Sequence, residues 1–225
     1  MHMKSLKRNA GHEWRRAGGF SLIEMMITIS ILIIASTVAI VSLIPVLNSQ
    51  HVTNAYNTTL STLRLARDCA VAQRTSYQVT FSQPAGSPWQ IAVGATLAFA
   101  GDPCSSTYTL PTDVLFQTNS AISATTPPDS SAGSNFGSGA YGVDFGYTPS
   151  GGTGGQSTIY FCPDGSAQTT STCAGSGNWD DGVVYMSRTA DLLSSRAVDV
   201  WGGTGRVRGW RLYPNSTGGY QWLRQ

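Results

Sequence analysis

The chain has 225 residues, 41% hydrophobic and 12% charged, with a formal net charge of +2. So much apolar content with so little charge excludes an unfolded, solvating chain and suits one domain with a real core plus an appended segment. A balance this close to neutral also leaves any anionic partner to a local patch.

Residues 1–19 form a basic leader carrying Lys4, Lys7, Arg8, Arg15 and Arg16 and ending in Gly18-Gly19. From Phe20 to Ile44 only Glu24 is ionisable. Roughly 20 apolar residues cross a bilayer as a helix, so residues 20–44 are expected to span the membrane once. The next cation is Arg64. The positive-inside rule therefore keeps the N-terminus cytoplasmic and exports the rest. An ordinary secretory signal has a shorter apolar core, followed by a small-residue cleavage site. Here Gly18 and Gly19 come before the apolar run.

No glycine occurs between Gly19 and Gly86, and Pro45 is the only proline before Pro84. Helix is thus expected to continue to about Arg74, bent or loosened near Pro45. Over residues 45–75, Val52, Tyr56, Leu60, Leu63, Ala66 and Ala70 recur at three- and four-residue steps, while Asn54, Thr58, Arg64, Arg67 and Asp68 take other faces. That is an amphipathic helix laid against a domain.

Residues 76–225 change to short β-rich runs: 76–82, 89–93, 96–100, 106–110, 113–118, 141–147, 157–162, 183–187 and 206–213, separated by turn residues. The segment from Asn119 to Gly139 reads as a surface loop. The expected fold class is α+β, a long N-terminal helix packed on an antiparallel sheet domain.

Charge is divided along this exported part. Between Thr75 and Ser187 there are seven aspartates and no Lys or Arg, whereas Arg188 to the end carries six arginines against two aspartates. If 206–213 is extended, Arg206, Arg208, Trp210 and Leu212 share one face, and Val207, Arg211 and Tyr213 the other. Guanidinium forks suit phosphate, and an adjacent tryptophan can stack on a base. The competing expectation is that these arginines pair with acidic neighbours in the same domain. Without residues 1–19 there are nine arginines against eleven acids, or −2.

Cys69, Cys104, Cys162 and Cys173 form an even set facing an oxidising compartment, where disulfides persist. Three pairings exist. Cys162 with Cys173 would staple the PDGSAQTTST loop, and Cys69 with Cys104 would then tie the helix end to the β part. A metal site is the competing reading, disfavoured because His2, His12 and His51 lie in the leader and helix; no metal and no cofactor are expected. Beyond residue 19 only His51 remains, which argues against Ser-His-Asp or Cys-His chemistry. Asp180-Asp181 in NWDDG reads as a solvated turn, and GGTGG and GGTG lack the Lys and Ser/Thr of a phosphate loop. No enzyme is expected.

The run GGFSLIE, behind a basic leader and ahead of an uninterrupted apolar helix, resembles the class III signal of type IV prepilins and type II secretion pseudopilins. The resemblance implies cleavage by a prepilin peptidase between Gly19 and Phe20, N-methylation of Phe20, and retention of the helix. It also gives Glu24 a reason to lie in hydrocarbon, where a lone carboxylate costs about 2.5–3.5 kcal/mol: it would meet the Phe20 amine during assembly. A tolerated charge one turn inside the membrane edge is the alternative.

Further along, LRLARDCAVAQRTSYQVTF, FGYTPSGGTGGQSTIYFC and GRVRGWRL are similar to the GspH/FimT group of minor pilins. That likeness implies a pilus priming or tip subunit, with a major pilin, other minor pilins and an inner-membrane assembly platform as partners. The exported domain would be periplasmic and later displayed on the pilus. The matching Gly205, Arg206 and Arg208 are associated with DNA capture in the FimT branch; Arg211 is a candidate by proximity. A GspH-like pseudopilin of a type II secretion system is the alternative. The tail past GRVR departs from the group.

Overall fold

The computed structural model describes residues 19–97, 99, 101–119, 141–147, 154–173 and 179–225, with Val41 described by its backbone alone. The chain divides into two compact units, Met1–Pro45 and Val46–Gln225. Helix α1 (Leu22–Gln73) supplies the described helical part of both, with Pro45 inside it.

In the first unit α1 opens behind Ser21, whose carbonyl accepts from Glu24 N–H at 3.0 Å and Met25 N–H at 3.2 Å. Glu24 lies in the first turn, where the helix dipole favours a negative charge. Residues 20–40 and 42–45 are exposed throughout. The hydroxyls of this stretch are turned inward: Thr28 donates to Met25 O at 2.9 Å, Ser30 to Met26 O at 2.8 Å and Ser36 to Leu32 O at 2.7 Å. Each thereby meets its need for a partner without water, as hydrocarbon requires. The helix is long and apolar enough to cross a membrane.

The second unit holds the rest of α1 and the strands β1 (Tyr77–Ser82), β2 (Gln90–Ala95), β3 (Ser106–Thr109), β4 (Val114–Leu115), β5 (Val143–Tyr147), β6 (Thr158–Phe161), β7 (Ala167–Gln168), β8 (Asp181–Arg188), β9 (Asp191–Trp201), β10 (Arg206–Pro214) and β11 (Tyr220–Arg224). One sheet has the order β3-β2-β1-β6-β7; the second runs β11-β10-β9-β8-β4, with β5 also against β8. The pairings given for both sheets are antiparallel. The fold is therefore α+β, as the alternation of periods led one to expect.

The periodicity of α1 explains its docking. Val52, Tyr56, Leu63, Ala66 and Ala70 are buried and Leu60 packs beside them, in one core with Tyr77, Val79 and Phe81 of β1, Ile159 and Phe161 of β6, and Val198 and Val200 of β9. Alternation on β1 buries every second residue from Tyr77. Phe81 meets Phe116 edge-on, with centroids 5.2 Å apart, and Phe145 at 5.8 Å. The helix ends at Gln73, and Arg74 takes a left-handed φ of 52°.

Three expectations are corrected. The run 96–100 is not a strand at its described residues: Thr96 and Leu97 are bends and Phe99 is irregular. Strands β7, β9 and β11 arise where none was expected. Asp180-Asp181 is no solvated turn: Asp181 is 4% exposed and accepts from Gly202 N–H at 2.6 Å, and Asp180 accepts from Thr169 N–H and Oγ1, each at 2.6 Å. The expected loop over 119–139 lies, past Asn119, outside the described residues, as do 151–153 of GGTGG.

The cysteines pair as Cys69–Cys104 and Cys162–Cys173. The first joins α1 to the segment before β3; the second closes the loop that contains β7.

Candidate functional site

Two regions carry the predicted site residues, one in each unit. In the first, Gly19 and Phe20 precede α1 in an exposed, irregular segment, and Phe20 is 72% exposed. Glu24 follows one turn later.

The second region is built by the turn before β10. Residues 202–205 form that turn, and Gly205 has φ +57°. A Cβ there would collide with the Gly165 carbonyl and press on Arg67 Cδ and Nε, both at 3.1 Å, so only glycine fits. Arg67, reaching from α1, holds the turn: its Nε donates to Thr204 O at 2.9 Å and to Gly165 O at 3.4 Å. From this turn Arg206 emerges exposed and Arg208 half-buried. The Arg208 guanidinium lies over the Trp201 ring, 5.0 Å from its centroid.

These groups line a groove of about 560 Å³ whose charged walls are Arg64, Arg67, Arg206 and Arg208, with Asp68 as its one carboxylate and Trp201 beside them. Asp68 is exposed and 3.9 Å from Arg67, a loose and hydrated pair. Along β10 the neighbouring β11 pairs only with residues 210–214, and Arg64 Nη2 donates to the Val207 carbonyl at 3.4 Å beyond that point.

Of the acidic residues expected to neutralise such arginines, Asp199 lies opposite Arg208 on β9 and accepts from its backbone N–H at 3.1 Å, whereas several others have partners away from the groove. Asp102 accepts from Tyr77 Oη at 2.6 Å and Cys104 N–H at 2.9 Å. Burial opposes ionisation of Asp102, but these hydrogen bonds prevail and hold its pKa below the ordinary 3.8. Tyr77, buried and bonded to that carboxylate, is pushed up to about 12. Asp164 accepts from Ser166 N–H and Oγ, Asp144 from Gly155 N–H and Tyr147 Oη, and Asp113 serves His51 and Arg188.

Trp210 and Arg211, also expected at this site, do not line the groove. Trp210 packs on Val183, Tyr185 and Ala197, and its Nε1 donates to Asp199 at 3.0 Å. Arg211 lies over Tyr213, 5.0 Å from the ring centroid. It also faces Arg196, whose Nη1 donates to the Ser194 and Ser195 carbonyls at 3.0 and 3.2 Å; burial, then Arg211, brings the Arg196 pKa down to about 10. Conversely, sequence reasoning assigned Arg64 and Arg67 to the solvent faces of α1 and missed their place in the groove. Their three-residue spacing put them on one helix face, but nothing local tied that face to β10.

Among the described residues, no group of three or more His, Cys, Asp or Glu could hold a metal ion.

Comparison with known families matches residues 14–40 to the prokaryotic N-terminal methylation motif. No curated protein and no solved structure matches the chain. The motif and the apolar helix together support a membrane-anchored, type IV pilin-like protein, and such a motif implies processing by a prepilin peptidase and assembly with other pilins.

Proposed function

We propose that this type IV pilin-like protein is a minor pilin of a type IV pilus, entering the filament in a priming or tip complex and binding extracellular DNA there through its arginine groove. Assembly follows from the helix: subunits stored in the inner membrane exchange lipid for neighbouring apolar helices, with Glu24 setting axial register against the methylated Phe20 amine. The N-terminus is cytoplasmic before assembly, and the β domain passes from the periplasm to the cell surface.

The observation that carries the DNA reading is the groove itself, four guanidinium groups and an indole against one exposed carboxylate. Guanidinium forks match phosphodiester oxygens, and such binding is salt-sensitive and tolerant of sequence. In this reading the protein is a non-enzymatic subunit, and the His51–Asp113 contact at 2.9 Å ties α1 to the β domain.

A gel shift of the chain from Phe20 onward, in non-ionic detergent with duplex DNA at low salt, tests this. Binding should fall sharply in Arg206→Ala/Arg208→Ala and with added NaCl. Absence of binding by the unmodified chain at low salt would overturn the DNA reading. Two readings would then remain, both supported by the same motif and helix: a structural priming or tip subunit of a type IV pilus that binds no DNA, and a GspH-like minor pseudopilin of a type II secretion system. The genes beside this one, pilus or secretion, separate them.

A further inference from the structure

The GRVR turn accounts for only one wall of the groove. The other is helical. Arg64 and Arg67 stand one turn apart on α1, and both reach the β10 segment across more than a hundred residues of sequence. Their engagements differ in kind. Arg67 uses Nε on two carbonyls, those of Thr204 and Gly165, which belong to the two turns that meet at Gly205. Arg64 is exposed, and its hydrogen bond to Val207 O is long, at 3.4 Å. A guanidinium has five N–H donors, so one weak bond leaves its fork able to take an anion.

We propose that α1 supplies half of this anion site, Arg64 as a further phosphate ligand and Arg67 as the positioning residue that aims Arg206 and Arg208. The ligand is a phosphodiester chain lying between helix and strand, and the proposal rests on the DNA reading above. Arg67 acts by fixing backbone: with Gly205 left-handed and Gly165 O against it, the direction in which β10 leaves the turn is set by what holds Thr204 and Gly165. Arg64 acts by charge. It stands where β11 has stopped pairing, so a ligand approaching β10 on that side meets it first.

The two roles predict different signatures. In fluorescence anisotropy with a labelled DNA duplex, using the chain from Phe20 onward in non-ionic detergent across a NaCl series, Arg64→Gln should weaken binding roughly tenfold at low salt. It should also lower the slope of log affinity against log salt by about one, as expected when the protein neutralises one phosphate fewer. Gln keeps much of the side-chain stem, and Arg64→Lys, which keeps the charge, should restore the slope. Arg67→Gln should weaken binding too, but its effect and that of Arg206→Ala should be clearly less than additive, because the first acts through the second. Thermal melting reports whether each variant is folded.

An Arg64→Gln chain that melts normally and keeps the unmodified affinity and slope, while Arg206→Ala/Arg208→Ala loses binding, overturns the helical wall and spares the DNA reading. Full additivity of Arg67→Gln with Arg206→Ala overturns the positioning role. Failure of the unmodified chain to bind at low salt removes both the reading and this inference.

Discussion

His51 Nδ1 lies 2.9 Å from Asp113 Oδ1, and Arg188 Nε donates to the other oxygen of the same carboxylate at 3.0 Å. One aspartate thus joins α1 to β8 near the start of the packed part of the helix. The groups are partly exposed, so each pair is worth only about 1 kcal/mol or less. Asp113→Ala should nonetheless lower stability by roughly 1–2 kcal/mol, since it leaves Arg188 half-buried without this carboxylate. A double-mutant cycle with His51→Ala, read by denaturant melts, should give a clear interaction energy. Additive effects would show the pair to be energetically idle.

Gly209 sits under Tyr56. A Cβ at 209 would overlap the Tyr56 hydroxyl and crowd its ring. Gly209→Ala should cost about 1–3 kcal/mol through overpacking. Tyr56→Ala in the same chain should remove most of the increment that Gly209→Ala adds, because the obstruction is then gone. Melting of the four variants checks this, and an unchanged increment would place the clash elsewhere.

The pH dependence follows from Asp102. Its folded pKa is depressed, so the stability it contributes is present above its unfolded value of 3.8 and is lost as pH falls below that value through the folded one. Asp164, held by Ser166, behaves in the same sense, whereas Asp181, raised by burial, works in the opposite one. Asp102→Asn should therefore be less stable at pH 6 and show a shallower loss between pH 4 and the acid limit. Melting temperature against pH measures it; parallel curves would refute the assignment.

Glu24→Ala should leave membrane insertion intact, since it removes a charge from an apolar segment. Incorporation into filaments should fall. Fractionation of membranes against sheared filaments separates the two outcomes, and normal incorporation would count against a register role for Glu24.

Much of this architecture is legible in the chain's own pattern. The helix can be read because Val52, Tyr56, Leu63, Ala66 and Ala70 repeat without a glycine to interrupt them, and β1 because Tyr77, Val79 and Phe81 alternate. Strand β9 cannot, because DLLSSRAVDVW places Ser195, Arg196 and Asp199 inside, where they are 1%, 7% and 0% exposed. Polar residues at interior positions erase the alternation, and for two of the three the folded chain supplies partners: Asp199 accepts from Trp210, and Arg196 donates to nearby carbonyls, whereas Ser195 Oγ is buried without one among the described residues. The run 96–100 fails in the other sense. It has strand composition, but at its described residues Thr96 and Leu97 bend, with Thr96 N–H donating to Ser76 O at 2.8 Å, and Phe99 is irregular. At the groove, Arg206 and Arg208 announce themselves through their glycine and their spacing; Arg64 and Arg67 do not, since their meaning lies in the carbonyls of Thr204, Gly165 and Val207.

The Cys69–Cys104 bond has a mechanical consequence. It lies near the end of α1 and ties that end to the segment leading into the edge strand β3. Traction arriving along residues 46–73 of α1 therefore passes into the five-stranded sheet through a covalent cross-link as well as through packing. Even where packing upstream of Cys69 is peeled away from the N-terminal side, the end of the helix stays covalently tethered to the segment before β3.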